Sequence, residues 1–344
     1  LFKLQDEIAG AVVKQLKLKL LTLPSSVTKS SNIEVHNLIL QGNYFFDKLD
    51  KDNVAKAVDF YNQALAIDST DARAWTSITN AISRQSWQNY IDQNTGYEKA
   101  RQAVLKAIAL DPNYAAAYRE LGDIKLYHDF DWKGAEAAYQ MAHDLEPSDA
   151  DVLTGLGDHM NALGQCREAE QFYKKAMVFN PLKPIIYLDL GNALSCDGRF
   201  AEAIKYFKKI LEINPQYQRA HLYIGRNYLL MRKPELALKE MQQENLEIFK
   251  TFGLALAYHA LGRKNEADEK LKEFIENYRE NWSYLIAQLY AFRGEREEAF
   301  AWLETAYNKR DSWLFWVKSD PLLKNIQNDP RYKAILKKMN LLTD

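Results

Sequence analysis

The chain has 344 residues, with 45 lysines and arginines against 46 aspartates and glutamates, so its formal net charge is -1. A hydrophobic content of 47% and a charged content of 26% are typical of a folded globular protein and exclude a disordered or collagen-like chain. The even charge balance argues against nucleic-acid binding, which usually requires a strongly basic surface. Only 14 glycines and 9 prolines occur, and this scarcity of helix breakers favours a mostly helical structure.

An apolar pattern typical of an amphipathic helix opens the sequence. An apolar residue recurs at every fourth position from Leu4 to Leu16, and a Ser/Thr-rich stretch follows at 22–32. Since this apolar pattern begins within the first few residues, we expect residues 1–34 to be the end of an upstream domain and a linker in a longer protein. The sequence contains neither a signal-peptide pattern nor a run of about 18 apolar residues, so we predict no membrane-spanning helix.

Prolines recur at a constant spacing through the middle of the chain, at steps of 35, 34 and 34 residues. They are Pro112, Pro147, Pro181 and Pro215. Between them a large apolar residue, a Leu-Gly pair, an alanine and an aromatic residue return at fixed offsets. The clearest copy consists of Tyr187, Leu190, Gly191, Ala203, Phe207 and Pro215.

This pattern resembles the tetratricopeptide repeat, W-x2-L-G-x2-Y…A-x3-F…P, which is a pair of helices joined by a turn. The resemblance implies that the small residues let the two helices approach and that the large residues fill the space between units. It also implies that the proline ends the second helix. One unit cannot bury its apolar face alone, so stacked units are expected to share a continuous core.

Weaker copies of the unit lie on both sides of the clear ones, so we predict eight helical hairpins in an array over residues 35–310. The second hairpin carries an insertion of about nine residues beyond the usual repeat length, around Trp87 to Tyr97. After Arg310, two Asp-Pro pairs and a last apolar-periodic helix predict a C-terminal cap over 311–344. The predicted fold is an all-α tetratricopeptide-repeat solenoid, a right-handed superhelix of about eight helical hairpins with a C-terminal capping helix.

Three segments are also similar to parts of a bacterial signalling family. Residues 1–20 resemble the helix that closes a small α/β domain ahead of the repeats in those proteins, 130–147 resemble one of their repeat units, and 294–341 resemble their ending. In that family a nucleotide cyclase domain or a winged-helix DNA-binding domain comes first, then a TolB-like domain, then such a repeat array. The resemblance implies that the chain is the sensor or docking region of a signalling protein.

No motif for catalysis, cofactor binding or metal binding occurs in the sequence, which lacks GxxxxGK[ST], HExxH, CxxC and Gly-x-Ser-x-Gly. His128 and Asp129 are neighbours on a predicted loop, but two adjacent residues do not make a metal site. Cys166 and Cys196 fall near the loops of neighbouring hairpins. We interpret them as separate structural cysteines, with a reactive pair as the alternative. We therefore predict a protein that is not an enzyme and that uses no cofactor or metal.

Most aromatic residues occupy the repeat's own aromatic positions, so we expect them in the core. The exceptions lie in the insertion of the second hairpin and are Trp87, Tyr90 and Tyr97. Two interpretations of these residues stay open: they pack on the insertion itself, or they form a patch for a partner.

The first helices of the hairpins are expected to line an inner, concave face, where such arrays bind peptides or partner helices. The residues that the repeat pattern does not demand there are our candidate site: Arg119, Asp123, Tyr127, Asp158, Asn161, Asn192, Arg219, Tyr223 and Arg226. Three of them, Asn192, Arg219 and Arg226, resemble part of the clamp of Asn and basic residues that some family members place on a peptide's C-terminal carboxylate. Asn can hold an extended backbone, and Arg pairs bidentately with a carboxylate.

The acidic residues Asp158 and Asp189 fit a simple anion site poorly and favour a peptide of mixed charge. We expect Arg219 and Arg226, seven residues apart on one helix, to face the same way. An ordinary solvated inner face is the alternative interpretation.

These patterns together predict a non-catalytic protein–protein interaction scaffold whose partner is a protein or peptide, not nucleic acid and not a membrane. Two other functions stay open: the regulatory region of a nucleotide cyclase whose catalytic domain lies upstream, and a structural module that self-associates. The expected location is the cytoplasm. The periplasm is the alternative, which an upstream targeting segment would decide.

Overall fold

The computed structural model describes residues 33–48 and 50–342, and the N-terminal helix and linker that we expect over 1–32 lie outside them. Within the described residues the chain forms seventeen α-helices and no β-strand. The helices pair in sequence into eight hairpins, from Ile33 to Asn308, so the predicted all-α fold is confirmed. None of these helices is long and apolar enough to cross a membrane.

The chain divides into two compact units, Leu1–Gly155 and Leu156–Asp344, which are described separately. The helices of the first unit are α1 (Ile33–Phe46), α2 (Lys51–Ile67), α3 (Ala72–Trp87), α4 (Gln93–Leu110), α5 (Ala115–Ile124) and α6 (Trp132–Leu145). Helix α7 (Ala150–Ala162) contains the boundary. The helices of the second unit are α8 (Cys166–Phe179), α9 (Pro184–Cys196), α10 (Phe200–Ile213), α11 (Ala220–Leu230), α12 (Pro234–Met241), α13 (Glu247–Ala260), α14 (Lys264–Tyr278), α15 (Ser283–Arg293), α16 (Arg296–Asn308) and α17 (Pro330–Lys338).

A glycine in the first helix of a hairpin makes room for an aromatic ring of the second. A Cβ atom built on Gly157 would lie 2.5 Å from the Tyr173 ring, and one on Gly122 would lie 2.6 Å from the Tyr139 ring. Both rings are fully buried. The small residue of the repeat is therefore needed for close packing of the two helices, as the sequence pattern predicts.

The insertion in the second hairpin lengthens its helices, and it buries one of its aromatic side chains. Helix α3 runs to Trp87, and α4 starts at Gln93 after its N-cap, Asp92. Tyr97 is 1% exposed, and its ring centroid lies 4.6 Å from that of His128. Tyr97 therefore belongs to the core of the first unit, whereas Trp87 and Tyr90 are only partly buried.

The chain at Lys125–Asp129 is a turn of π-helix that continues α5, rather than the loop that we predicted. Its side chains contact the preceding hairpin: the ring of His128 lies 3.1 Å from Asn94 Oδ1, and Arg101 donates to Asp129 at 2.7 Å. Phe130 then ends the turn in the left-handed conformation, at φ 54°. His128 and Asp129 thus have a structural role between the second and third hairpins.

Beyond α16 the chain forms two 3-10 turns, Ser312–Trp316 and Pro321–Ile326, and then α17. Asp311, Asp320 and Asp329 each precede one of these elements, and each carboxylate accepts a backbone N–H two residues further on. The predicted Asp-Pro pairs are therefore N-caps followed by proline at the first position, a combination that starts helices well. Arg331 of α17 donates to Glu297 of α16 at 2.7 Å, so this helix covers the last hairpin.

Cys166 and Cys196 form a disulfide, which corrects our interpretation of them as separate cysteines. Cys166 begins α8 and Cys196 ends α9, and their Cα atoms are 6.1 Å apart. Their separation of 30 residues is close to one repeat, so the stacking of the fourth and fifth hairpins brings the two side chains to the same edge. Arg167 reinforces this edge by donating to Asp197 at 3.1 Å.

Candidate functional site

In five hairpins the first helix carries a polar residue directly after its buried glycine, and four of these five residues belong to the candidate site. They are Asn43, Asp123, Asp158, Asn192 and Arg226. In three hairpins a tyrosine hydroxyl of the second helix donates to this residue: Tyr61 to Asn43 at 2.7 Å, Tyr139 to Asp123 at 2.7 Å, and Tyr173 to Asp158 at 2.6 Å. A buried tyrosine needs such an acceptor, so these polar residues satisfy the repeat's own core.

The other two residues at this position face second helices that offer no hydroxyl. Gly191 packs against Phe207, and Gly225 packs against Met241. The second helices of their own hairpins therefore donate no tyrosine hydroxyl to Asn192 or Arg226. Asn192 Nδ2 is buried and has no hydrogen-bond partner in the described part of the chain.

In the first unit, two candidate residues belong to an ion-pair network. Arg119 contacts the carboxylate of Glu120 and donates to Asp123 at 2.7 Å. Burial raises the pKa of both carboxyls, against the opposing effect of the Arg119 guanidinium. The network thus has two desolvated carboxylates around one guanidinium. The third candidate in this unit, Tyr127, is half-buried in the π-helical turn.

On α7 the two candidate residues are interior. Asp158 is 7% exposed, and Asn161 is fully buried. Asp158 accepts from the Tyr173 hydroxyl, whereas both amide atoms of the Asn161 side chain are buried without a hydrogen-bond partner among the described residues.

Arg219 lies in a place that the sequence did not indicate. It precedes α11 in the left-handed conformation, at φ 74°, and its backbone N–H donates to Glu244 at 3.0 Å. Its guanidinium lies 5.9 Å from the ring centroid of Phe249 and 5.8 Å from that of Trp313. The expectation that Arg219 and Arg226 lie on one helix is therefore wrong, because the chain turns sharply before Ala220.

The second unit contains a pocket that brings together Asn192, Tyr223 and Arg226 with residues of α15 and the C-terminal segment. Its volume is about 30 Å³, enough for a few water molecules. Gln288 of α15, Trp316 and Asp320 are the other residues that matter here. Sequence reasoning missed these three because they lie far along the chain, and the Asp-Pro pair marked Asp320 only as a cap residue.

Asp320 is the most highly coordinated group of this pocket. It is 4% exposed, and it accepts hydrogen bonds from Arg226 at 3.0 Å, from the Tyr284 hydroxyl at 3.0 Å and from the backbone N–H of Leu322 at 2.9 Å. The Gln288 side-chain amide also donates to it. The Arg226 guanidinium, which lies 5.2 Å from the Tyr223 ring centroid, is thus already paired with a carboxylate of its own chain.

A metal site is not formed by the described residues, since no three His, Cys, Asp or Glu side chains converge there. The polar side chains that line the pocket are those of Asn192, Ser195, Tyr223, Arg226, Asn227, Gln288, Ser319 and Asp320. Such groups can bind and orient a polar ligand by hydrogen bonds.

Comparison with known proteins agrees with this architecture. A family profile, described as tetratricopeptide repeat, matches residues 184–217, which include α9 and α10. Among solved structures, the APC/C hetero-tetramer Cut9-Hcn1 matches 93% of this chain and 58% of its own at 15% identity, with a TM-score of 0.60. The fold is that of tetratricopeptide-repeat proteins.

Two shorter solved structures also match these tetratricopeptide repeats. The type IV pilus biogenesis factor PilW has 19% identity and a TM-score of 0.49, covering 61% of this chain and 96% of its own. The pilF protein of Pseudomonas aeruginosa has 19% identity and a TM-score of 0.45, covering 58% and 92%. No curated protein matches the chain in sequence.

Proposed function

We propose that this tetratricopeptide-repeat chain is a non-catalytic scaffold that binds a peptide or partner helix through the inner faces of its first helices. The observation that supports this most directly is Asn192. Its amide Nδ2 is buried beside a pocket and has no hydrogen-bond partner, whereas equivalent residues of other hairpins accept from a tyrosine hydroxyl. A buried donor without a partner costs stability, so its retention is understandable if a ligand satisfies it.

The candidate residues differ in how well they suit this role. Asn192, Tyr223 and Arg226 line the pocket of the second unit. Arg119, Asp123 and Tyr127 are partly exposed in the first unit. Asp158, Asn161 and Arg219 are at least nine-tenths buried and would act by positioning their neighbours. We therefore centre the proposed site on Asn192.

A selection from a displayed library of random peptides tests this function, followed by affinity measurement on purified chain. Binding should weaken about tenfold in Asn192→Ala, since a hydrogen bond to a buried group contributes roughly 1–2 kcal/mol. The matched control is Asn308→Ala, an exposed asparagine at the end of α16 that should bind like wild type. A selection that yields no binder, or binders that Asn192→Ala leaves unaffected, would contradict the proposal.

We further propose that the scaffold serves as the sensor or docking region of a bacterial signalling protein. This setting is supported by the sequence resemblance of 1–20, 130–147 and 294–341, and any cyclase activity would belong to an upstream domain. The location is a separate question: we expect the cytoplasm, with the periplasm as the alternative, and the Cys166–Cys196 disulfide favours an oxidising compartment such as the periplasm. The sequence of the parent protein ahead of Leu1 tests the first point, and thiol labelling in cell fractions tests the second.

A further inference from the structure

We propose that the exposed apolar face of α1 is the docking site for a segment of this same chain, residues 4–20, which lies outside the described residues. The segment packs on α1 as one hairpin of the array packs on the next, and it covers the first hairpin as α17 covers the last. This inference goes beyond the proposed function, since it concerns how the array ends and not what its inner face binds.

Helix α1 carries apolar side chains on the side that faces away from its own hairpin. Ile33, Leu40 and Tyr44 are 79%, 51% and 61% exposed, whereas Val35 and Ile39 are buried in the hairpin core. The spacing of seven and four residues aligns the three exposed side chains along one face of the helix, which we call the α1 stripe. Burial of such a stripe is favourable, because each of its side chains leaves water.

The α1 stripe occupies positions that other hairpins bury. Leu40 lies two residues before the buried glycine of its helix, and Tyr44 lies two residues after it. In the third, fifth and sixth hairpins, which also have this glycine, the same two positions are at most 5% exposed. These residues are Glu120, Asp189 and Tyr223 before the glycine, and Ile124, Ala193 and Asn227 after it.

The sixth hairpin shows what covers these two positions. The ring of Tyr223 stacks on Phe207 in the second helix of the fifth hairpin, with centroids 5.4 Å apart. Asn227 accepts a hydrogen bond at 2.8 Å from the hydroxyl of Ser195, which lies in the first helix of the fifth hairpin. Both positions thus pack on the hairpin that comes before theirs. Among the described residues no hairpin comes before α1, so its stripe is a stacking face without the stacked element.

The segment that precedes α1 in the chain suits this face in pattern and in length. Its apolar residues recur at every fourth position from Leu4 to Leu16, which span about 18 Å in a helix, and Ile33 to Tyr44 span about 17 Å. The stretch 22–32 extends to about 40 Å, enough for the segment to return antiparallel to α1. Consecutive elements are usually neighbours in space, and the short tether favours this segment over any partner free in solution.

The charges favour the same occupant. Residues 33–155 contain 19 acidic and 11 basic side chains, whereas residues 1–32 contain five lysines and two acidic residues. The segment and the first unit therefore attract each other. Pairing of α1 with α1 of a second copy would instead bring two acidic units together, which is unfavourable.

Hydrogen exchange of the full chain, followed by mass spectrometry, tests this docking. In wild type the amides of 4–20 should be protected, which an isolated helix of this length does not achieve in water. Leu40→Gln should speed their exchange about tenfold, because it removes an apolar contact from the proposed interface. The matched control is Leu105→Gln: Leu105 of α4 is also 51% exposed, and its substitution should leave the exchange of 4–20 as in wild type.

A reciprocal pair of variants changes the segment instead of α1. Ile8→Gln should speed exchange within α1, by a smaller factor because α1 keeps its packing on α2. Glu7→Gln, at the neighbouring position outside the apolar pattern, is the control and should leave α1 unchanged. Circular dichroism checks that each variant keeps the helical content of wild type.

Exchange of 4–20 at the rate of an unfolded peptide in wild type would overturn the proposal, and so would equal effects of Leu40→Gln and Leu105→Gln on the segment. Sedimentation velocity tests the remaining occupant. A wild-type dimer that Leu40→Gln converts to a monomer would assign the α1 stripe to a second copy and overturn the docking of 4–20. Each of these outcomes leaves the peptide-binding test at Asn192 unaffected, so the two proposals can fail separately.

Discussion

The Nη2 atom of Arg226 lies 3.0 Å from Oδ1 of Asp320, a residue 94 positions further along the chain. This contact joins the first helix of the sixth hairpin to the segment that follows the eighth. Tyr284 and Gln288 of α15 bind the other oxygen of the same carboxylate. The C-terminal segment therefore does more than cover the last hairpin, because it also contacts the first helix of the sixth hairpin.

The first prediction concerns this carboxylate. Asp320→Ala should lower the free energy of unfolding of the second unit by roughly 3–5 kcal/mol, since it leaves the Arg226 charge without its buried partner. Chemical denaturation followed by circular dichroism measures the change. Asp329→Ala is the matched control, because Asp329 also caps the element that follows it but lies in a more exposed place. Equal losses in the two variants would show that capping, and not the contact with Arg226, accounts for the effect.

The second prediction concerns the disulfide between α8 and α9. Reduction should lower the free energy of unfolding by roughly 3–4 kcal/mol, as estimated from the loss of a crosslink that closes a loop of 30 residues. Urea unfolding with and without dithiothreitol measures this change. Cys196→Ala cannot form the bond and should not respond to the reductant. Two free thiols per chain in the purified, unreduced protein would contradict the assignment.

The third prediction concerns close packing in the fourth hairpin. Gly157→Val should destabilise the chain by about 1–3 kcal/mol, because the added side chain would overlap the buried Tyr173 ring. Ala201→Val on the exposed face of α10 is the control and should have a small effect. Hydrogen exchange should increase mainly around Gly157, since contacts in a repeat array are between neighbours. An equal increase near Trp302 would argue against such local behaviour.

The fourth prediction concerns pH. Burial raises the pKa of Asp311 to about 6, although the backbone N–H groups of Tyr284 and Trp313 favour its charged form. The folded chain therefore binds a proton that the unfolded chain has lost between about pH 4 and 6. The stability contributed by this proton is present at pH 4 and is lost as the pH rises through 6.

The corresponding measurement is urea unfolding of wild type and Asp311→Asn at pH 4 and at pH 7. Relative to the variant, wild type should lose roughly 2 kcal/mol between the two values, because Asn does not titrate. Asp329→Asn is the control: the hydrogen bonds from Arg331 lower the pKa of Asp329 to about 2, so its titration falls below this range. A wild-type profile that parallels Asp311→Asn would contradict the raised pKa.

Much of the fold is predictable from sequence because its determinants are local and repeated. The spacing of Pro147 and Pro181, the small residues such as Gly157 and the aromatic residues such as Tyr173 each recur once per hairpin, and each acts within its own hairpin or on the next one. Eight copies reinforce one another, so even the weak outer copies could be assigned. The π-helical turn at Lys125–Asp129 was not predicted, because a single extra residue in a helix leaves no periodic pattern.

The candidate site was less predictable, for reasons that particular residues illustrate. We selected polar residues of the first helices that the repeat pattern does not demand, yet Asp123 and Asp158 accept hydrogen bonds from core tyrosines. The signal was present: tyrosine in place of phenylalanine at the repeat's aromatic position requires an acceptor nearby. The same rule, applied to Phe207, would have singled out Asn192.

The sequence by itself determined the class of the fold, the number of hairpins and the presence of a C-terminal cap, since periodic apolar patterning and N-capping act over a few residues. Only the tertiary structure decided that Cys166 pairs with Cys196, and that the Asp320 carboxylate forms an ion pair with the Arg226 guanidinium. Contacts between residues 30 or 94 positions apart depend on how hairpins stack and how the cap folds back, and no local pattern encodes that geometry. The pairing of Arg226 with Asp320 is consequently a property of the assembled chain.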